Sequence, residues 1–176
     1  MVIKLKLLFE KLLEVISMFL LIFLAFIVVL AVLFRFFGQS LIWYDEVASV
    51  VLAWLTYYGS ALAACKRGHL GFPGLFLALP KYMRMLSFIL AEVVVIGFFV
   101  VIGYAGWFIL EVFGEETLVS LPWVPLSFTQ SVIPVGAALF ILAELFSIPD
   151  AWSKAMSGID YEKVAIEQAI EEATQP

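Results

Sequence analysis

Four stretches of the sequence are apolar over a length that can cross a lipid bilayer, and this feature constrains the fold most. They span residues 15–34, 47–65, 85–110 and 131–148. Twenty helical residues rise about 30 Å, which matches the thickness of a typical hydrocarbon core. Lipid offers no partner to backbone N–H and C=O groups, so helices are expected, and the alternating short strands of a β-barrel do not appear. The sequence therefore predicts an all-α membrane protein with four transmembrane helices.

The composition excludes an ordinary soluble domain. Hydrophobic residues make up 64% of the 176 positions and charged residues only 14%, against about half and about a quarter in soluble proteins. An excess of this size cannot be buried in one soluble core, because the surface must still face water. Most of the chain is therefore expected to lie in lipid, and membrane lipids are expected among its partners.

The sequence lacks the residue sets that cofactor-dependent chemistry requires. Its single cysteine, Cys65, cannot form an internal disulfide or a dithiol redox pair. Its single histidine, His69, is too few for a histidine-based haem or metal site. No nucleophile–base pair or phosphate-binding glycine loop is apparent, and no basic stripe indicates nucleic-acid binding. The sequence therefore predicts no enzyme, no cofactor, no metal and no nucleic-acid partner.

The Lys and Arg residues near the ends of the spans predict the orientation. Such residues are enriched in cytoplasmic segments, and nine of the ten fall in the N-terminal segment, the second connection or the C-terminal segment. The exception is Arg35, at the far end of the first span. Both termini are therefore predicted to be cytoplasmic. Because Arg35-Phe36-Phe37 follows the first span instead of a small-residue cleavage site, we interpret this span as a retained helix and not as a signal peptide.

Two segments outside the spans have distinct characters. The second connection, residues 68–84, is apolar but interrupted by Pro73 and Pro80, which predicts a short helix lying in the cytoplasmic membrane interface. Six of the fifteen acidic residues fall within the last 27 residues. The chain is therefore divided into a four-helix transmembrane domain, residues 1–150, and an acidic cytoplasmic C-terminal tail, residues 151–176.

Ionisable residues within the spans are the first candidates for function, because charge in lipid is expensive. Glu92 and Glu144 both fall toward the cytoplasmic side, where Lys66, Arg67 and Arg84 also lie. One hypothesis is a proton or cation relay. The other is structural pairing of buried acids with bases, with Arg84, Glu92 and Glu144 as candidates. We favour pairing, because no ionisable residue falls at the bilayer centre.

Charged residues at the outer side form a second group. Asp45 and Glu46 open the second span, and negative charge is favourable at a helix N-terminus. That role alone accounts for both acids. The alternative is a salt bridge from Arg35 to one of them, which makes Arg35 a further candidate for a buried ion pair.

The second span carries small residues at four-residue spacing, Gly59 with Ala63 and Ser60 with Ala64. In membranes such pairs let two helices approach closely. Aromatic residues precede these pairs, and they are expected to pack against other helices rather than hold a cofactor. They are Trp54, Tyr57 and Tyr58.

Several short motifs in a fixed order carry a family resemblance. They are Trp43-Tyr44-Asp45-Glu46, Trp54-Leu55, Tyr58-Gly59-Ser60-Ala61, Lys66-Arg67-Gly68-His69-Leu70, Leu121-Pro122-Trp123 and Ile133-Pro134-Val135-Gly136. Together with the four-span layout, over residues 10–150, they resemble the small membrane subunit of TRAP (tripartite ATP-independent periplasmic) transporters, the DctQ-like family.

The resemblance implies a multi-pass protein of the bacterial inner membrane with two protein partners. One is a large membrane subunit that holds the substrate and sodium sites and moves as an elevator. The other is a periplasmic binding protein that delivers an organic acid. The small subunit is implied to be a scaffold that braces the large one.

This reading assigns two sets of site residues. The acids proposed to help dock the binding protein are Glu111, Glu115 and Glu116. The residues proposed to lie at a subunit interface or to support the structure are Trp43, Glu46, Trp54, Tyr58, Gly59, Ala63, Arg67, Gly68, His69, Pro122, Trp123, Pro134 and Gly136.

The alternative function is an autonomous proton-coupled transporter or channel that acts as a homo-oligomer. It would require a carboxylate near the centre of a span. The first two spans carry none between Glu14 and Arg35 or between Glu46 and Lys66, so the scaffold function is favoured.

Overall fold

The predicted all-α fold is confirmed by a computed structural model, in which residues 2–67, 76 and 78–157 are described. Four segments are long and apolar enough to cross a membrane, the fourth of them built from two consecutive helices. Within the described ranges the one β interaction is an isolated bridge between Thr117 and Pro125. The helices are α1 (Val2–Phe36), α2 (Tyr44–Cys65), α3 (Lys81–Val112), α4 (Leu126–Gln130) and α5 (Val132–Ser157).

Two predicted segments fall largely outside the described residues. Most of the predicted interfacial helix, with Gly68 and His69, belongs to residues 68–75 and 77. At the C-terminal end the chain is described only as far as Ser157. Helix α5 continues to that residue through Pro149 and past residue 150, beyond which the predicted tail begins. The interfacial helix and the acidic tail therefore stay predictions.

The helices α1 and α3 extend well beyond their uncharged cores. The 35 residues of α1 and the 32 residues of α3 measure about 50 Å each, more than the roughly 30 Å of the hydrocarbon core. The first turns of α1 are rich in Lys, Leu and Glu, which favour helix, and Lys11 Nζ lies 3.3 Å from Glu14 Oε2. Charged residues limit the predicted span, but they do not end the helix.

Two spanning helices are followed by a residue with a left-handed backbone. After α1, Gly38 has φ +78° and its N–H donates to the carbonyl oxygen of Arg35, as at many helix ends. After α2, the same region is occupied by Arg67, with φ +51°, whose N–H donates to the carbonyl oxygen of Ala64. A side chain makes this conformation about 1 kcal/mol less favourable. Other contacts must therefore hold Arg67 in place.

The spanning helices pack side by side in the order α1, α2, α5, α3. The most extensive contacts join α1 to α2, α2 to α5, and α5 to α3, and near the start of α1 the ring of Phe9 also lies 5.7 Å from that of Phe146 on α5. Ala61, Ala64 and Ala143 are completely buried, and the rings of Phe99 and Phe140 stack with centroids 3.7 Å apart. Small side chains let backbones approach closely, which is how helices associate where water supplies no driving force. The edge helices α1 and α3 consequently leave long apolar surfaces uncovered.

Ion pairs show which helix ends lie together. Lys6 of α1 pairs with Asp150 of α5, and Lys66, which follows α2, lies 3.7 Å from Glu10 of α1. The N-terminal end of α1 and the C-terminal ends of α2 and α5 therefore share one end of the molecule, which we call the basic end. The α1–α2 and α3–α4 connections lie at the opposite end, which we call the loop end.

Helix α5 approaches its neighbours most closely at two glycines. A Cβ atom on Gly136 would lie 2.6 Å from Cβ of Tyr57 on α2, and one on Gly106 of α3 would lie 2.6 Å from Cγ2 of Ile133. Both distances are far inside van der Waals contact. The two glycines thus set the spacing of α5 from α2 and from α3.

The small residues of α2 divide between an inner and an outer face. Ala61 and Ala64 are buried against the neighbouring helices. Nothing in the described residues lies within 4 Å of a Cβ atom placed on Gly59, and Ala63 is only partly buried. The predicted close approach at Gly59 is therefore not made by any described part of the chain.

We predict that Gly136→Ala destabilises the purified chain, whereas Gly59→Ala does not. The new methyl group at position 136 overlaps the Tyr57 side chain, and overpacking of this kind costs about 1–3 kcal/mol. At position 59 the methyl group meets open space, and replacing a helical glycine by alanine stabilises by up to about 1 kcal/mol. Thermal unfolding of both variants in the same detergent measures the difference. Equal unfolding temperatures would contradict the close α2–α5 contact.

Candidate charge cluster and assembly surfaces

Three charged side chains meet inside the spanning region, toward the basic end. Nη1 of Arg67 lies 2.7 Å from Oε1 of Glu92 on α3 and 2.9 Å from Oε1 of Glu144 on α5. The exposed fraction is 6% for the Glu144 side chain, 11% for Glu92 and 31% for Arg67. The guanidinium therefore joins the end of α2 to both α3 and α5. We call these three residues the charge cluster.

The contacts of the charge cluster explain the backbone of Arg67. Its guanidinium makes two charge-assisted contacts with carboxylates, and contacts of this kind are stronger than neutral hydrogen bonds. The guanidinium carbon also lies 6.0 Å from the centre of the Phe88 ring, within the range of a cation–π contact. These interactions offset the backbone strain.

Arg84, one of the two cations predicted for buried ion pairs, contacts backbone carbonyl groups. Arg84 is buried, and its guanidinium donates to the carbonyl oxygens of Leu79 and Ala155 at 3.2 Å each. It thereby joins the start of α3 to the end of α5.

Arg35 forms no ion pair with a described residue, although it and Asp45 line the same cavity of about 260 Å³. The spacing along the chain does not reveal that Arg67 is the cation of the cluster. It becomes the neighbour of Glu92 and Glu144 only when α2, α3 and α5 pack together.

Glu46 holds the α3–α4 connection against the start of α2. Its carboxylate accepts hydrogen bonds from the backbone N–H groups of Val119 at 3.1 Å and Ser120 at 2.9 Å, and from the Ser120 hydroxyl. Asp45 and Glu46 both lie in the first turn of α2, which begins without a side-chain cap. Glu46 therefore joins the start of α2 to the α3–α4 connection, whereas Asp45 is exposed in the first turn.

Trp54 connects α2 to α4 within the chain. Its indole Nε1 donates to the carbonyl oxygen of Thr129 at 3.2 Å. Its ring lies 5.4 Å from the ring of Phe128 and stacks on Tyr58 at 6.1 Å. Tyr58 in turn packs against the buried helix contacts. The aromatic row thus stabilises the fold, and no cofactor is needed to explain it.

The remaining interface candidates divide into packed and exposed residues. Pro134 lies in the first turn of α5, where its Cδ would be 2.9 Å from a Cβ on Gly106. Trp43 occupies the N-cap position of α2. Pro122 is exposed in the α3–α4 connection, and Trp123 beside it is 78% exposed. The last two are available to lipid or to another protein.

The three acids predicted to help in docking follow one another at the loop end. Glu111, Glu115 and Glu116 are all exposed. Glu111 accepts a hydrogen bond from Nε1 of Trp107 at 3.2 Å. None of the three forms an ion pair with a described residue. Their charge is therefore open to a partner that approaches from this end.

A cavity of about 350 Å³ opens at the loop end, between α2, α4 and the α3–α4 connection. Its lining is almost wholly apolar and contains no charged side chain; Val47, Trp123 and Phe128 are among the lining residues. Among the described residues no three His, Cys, Asp or Glu side chains form a group that could hold a metal ion. The described part of the chain thus presents packing surfaces and one buried charge cluster.

These features define an α-helical, multi-pass membrane protein whose polar contacts join its own helices. A comparison with protein families identifies the class more narrowly. Residues 24–153 match the family described as tripartite ATP-independent periplasmic transporters, DctQ component. The chain therefore belongs to the DctQ family. A comparison with curated proteins finds no match.

Membership of the family supplies the functional class. The family consists of transporter components and is not a family of enzymes. Its members belong to the bacterial inner membrane and act with a large membrane subunit and a binding protein. The four apolar spans described above agree with this setting.

We predict that Glu46→Ala loosens the α3–α4 connection, whereas Asp45→Ala leaves it unchanged. Removing the carboxylate leaves the N–H groups of Val119 and Ser120 without their acceptor. Hydrogen exchange at these two amides, followed by mass spectrometry, should become several-fold faster in Glu46→Ala only. The same exchange rate in both variants would show that the connection is held by other contacts.

Proposed function

We propose that this chain is the scaffold subunit of a sodium-coupled TRAP transporter that imports an organic acid. Family membership supports the transporter, and the open side-by-side packing of the four helices supports the scaffold role. Such packing leaves the outward face of α2 open, with Leu52 and Thr56 exposed and no described residue within 4 Å of a Cβ on Gly59, so that this face is free to meet a neighbour in the membrane. That uncovered surface is the observation on which the proposal chiefly rests.

The outward face of α2 is the proposed bracing surface. Leu52, Thr56, Gly59 and Ala63 fall on one face of the helix, because their spacings of four, three and four residues follow the helical repeat. Leu52 and Thr56 are exposed, and a Cβ on Gly59 would meet open space. Small residues at the middle of this face admit a helix of the large subunit at short distance.

The proposed orientation places the basic end in the cytoplasm. Among the described residues, every Lys and Arg except Arg35 belongs to that end, as the enrichment of positive charge in cytoplasmic segments requires. The loop end then faces the periplasm. Glu111, Glu115 and Glu116 there would meet the binding protein, with Trp123 in the outer interface.

We predict that Gly59→Leu weakens association with the large subunit without lowering the stability of this chain alone. In the isolated chain a Cβ at this position meets no described residue within 4 Å, whereas in the complex the larger side chain would occupy the proposed contact. Co-purification of a tagged chain with the large subunit measures association. Val29→Leu, at an exposed site on α1, is the matched control and should behave as the unmodified chain.

Two outcomes would contradict the scaffold proposal. One is undiminished co-purification of Gly59→Leu, which would remove α2 as the bracing surface. The other is solute transport by the purified chain alone in liposomes, which would favour the autonomous transporter instead.

We predict that reversing the charge of Glu111, Glu115 and Glu116 together weakens docking of the binding protein several-fold. Exposed charges act mainly through long-range attraction, so the effect should shrink as salt concentration rises. Binding of the binding protein to the complex in lipid nanodiscs measures it. Lys81→Glu, at the basic end, is the control. Unchanged binding of the triple variant would rule out a docking role for these acids.

A further inference from the structure

The charge cluster contains one more carboxylate than its cation can neutralise. Arg67 carries one positive charge, and Glu92 and Glu144 would carry two negative charges if both were ionised. Arg67 is the cation within 4.0 Å of either acid in the described part of the chain. A net negative charge would then lie in the spanning region, where uncompensated charge is strongly unfavourable.

The geometry of the contacts also disfavours ionisation of both acids at once. Both carboxylates contact the same atom, Nη1 of Arg67, so their Oε1 atoms are no more than 5.6 Å apart, the sum of the two N–O distances. Two carboxylates at such a distance do not both ionise readily, because each charge disfavours the other. Nε and Nη2 of Arg67 are buried without a protein partner, so no bidentate pair forms with either acid.

Two buried oxygen atoms show where a proton can be held. Oε2 of Glu92 and Oε2 of Glu144 are both inaccessible to solvent and have no hydrogen-bond partner. The Glu144 side chain is more than nine-tenths buried. A buried acceptor without a donor is costly, and protonation turns one of these oxygens into a donor.

The other charged groups at the basic end have contacts of their own. On α1, Glu10 and Glu14 lie near Lys66, and Lys6 pairs with Asp150 of α5. The guanidinium of Arg84 on α3 donates to two backbone carbonyl groups, as described above. His69 lies outside the described residues.

We propose that the charge cluster is a proton-binding site, in which Glu92 and Glu144 hold one proton between them. One acid is then a neutral carboxylic acid, the other is the anion that pairs with Arg67, and the cluster has no net charge. The step is binding of a proton to a carboxylate oxygen, and no other bond changes. The site is independent of the proposed transport role, since it requires only this chain.

A proton fits this site better than a metal ion. Sodium is coordinated by several oxygen atoms, whereas the cluster offers two free carboxylate oxygens beside a guanidinium that repels cations. The bound proton also has a structural effect. Its loss at alkaline pH would leave two anions on one cation and weaken the junction of α2, α3 and α5.

Infrared spectroscopy of the full chain in lipid nanodiscs tests the site directly. A protonated carboxylic acid has a carbonyl stretching band that shifts in D₂O, and we expect one such band at neutral pH. The band should disappear in Glu92→Gln and equally in Glu144→Gln, because the single acid that remains becomes the anion of Arg67. Glu111→Gln, which removes an exposed acid at the loop end, should retain it.

A second measurement uses stability, so that the test does not depend on one signal. The unfolding temperature of the unmodified chain should fall as pH rises above neutrality, and each single variant should lose this fall. Glu92→Gln combined with Glu144→Gln deprives Arg67 of both anions and should lower the unfolding temperature at every pH. The single variants carry the test if the double variant does not fold.

Two results would overturn the proposal. The first is the absence of a protonated-acid band that both single variants remove. The second is loss of the band when sodium replaces choline in the buffer, which would identify a metal-ion site. An unchanged band in both buffers supports the proton.

Discussion

One guanidinium group shared by two buried carboxylates joins the structure at its basic end. Arg67 leaves α2 in a left-handed conformation that a side chain does not favour, and it contacts α3 through Glu92 and α5 through Glu144. In water such a junction would contribute little, because exposed ion pairs are weak. Inside the spanning region the alternative is an unpaired charge in lipid, which is far more costly. Three of the four spanning helices are therefore connected by a contact that cannot be broken cheaply.

The rest of the packing follows from the same solvent. Lipid does not drive apolar surfaces together, so the helices are held by close steric fit at small residues. Gly136 lies against Tyr57, and Gly106 lies against Ile133. The apolar surfaces of α1 and α3 need no cover in lipid, which is why an open row of helices is stable here. A soluble protein with the same arrangement would expose far too much apolar surface.

Much of the fold is predictable from the sequence, because hydropathy reflects a single physical constraint, the thickness of the bilayer. The four spans and the all-α fold follow from it. The true length of α1 does not, since Lys and Glu near its start end an apolar run without ending a helix. The pairing of Arg67 with Glu92 and Glu144 is also hidden in the sequence. Glu92 follows Arg67 by 25 positions and Glu144 follows it by 77, and the two acids lie on two other helices. Glu46 was recognisable from its motif, but its partners Val119 and Ser120 are backbone groups in an irregular connection, which no side-chain pattern indicates.

Helix α2 is fastened at both of its ends. At the loop end Glu46 accepts hydrogen bonds from the backbone of the α3–α4 connection. Beyond the last turn of α2, Arg67 pairs with carboxylates on two neighbouring helices. The 22 residues of α2 form a helix about 33 Å long, close to the full depth of the hydrocarbon core. A helix held by contacts at both ends is constrained against sliding or tilting relative to the segments that it contacts. Because both ends of α2 are joined to other segments, a displacement at one membrane surface is expected to pass along α2 to the contacts at the other surface.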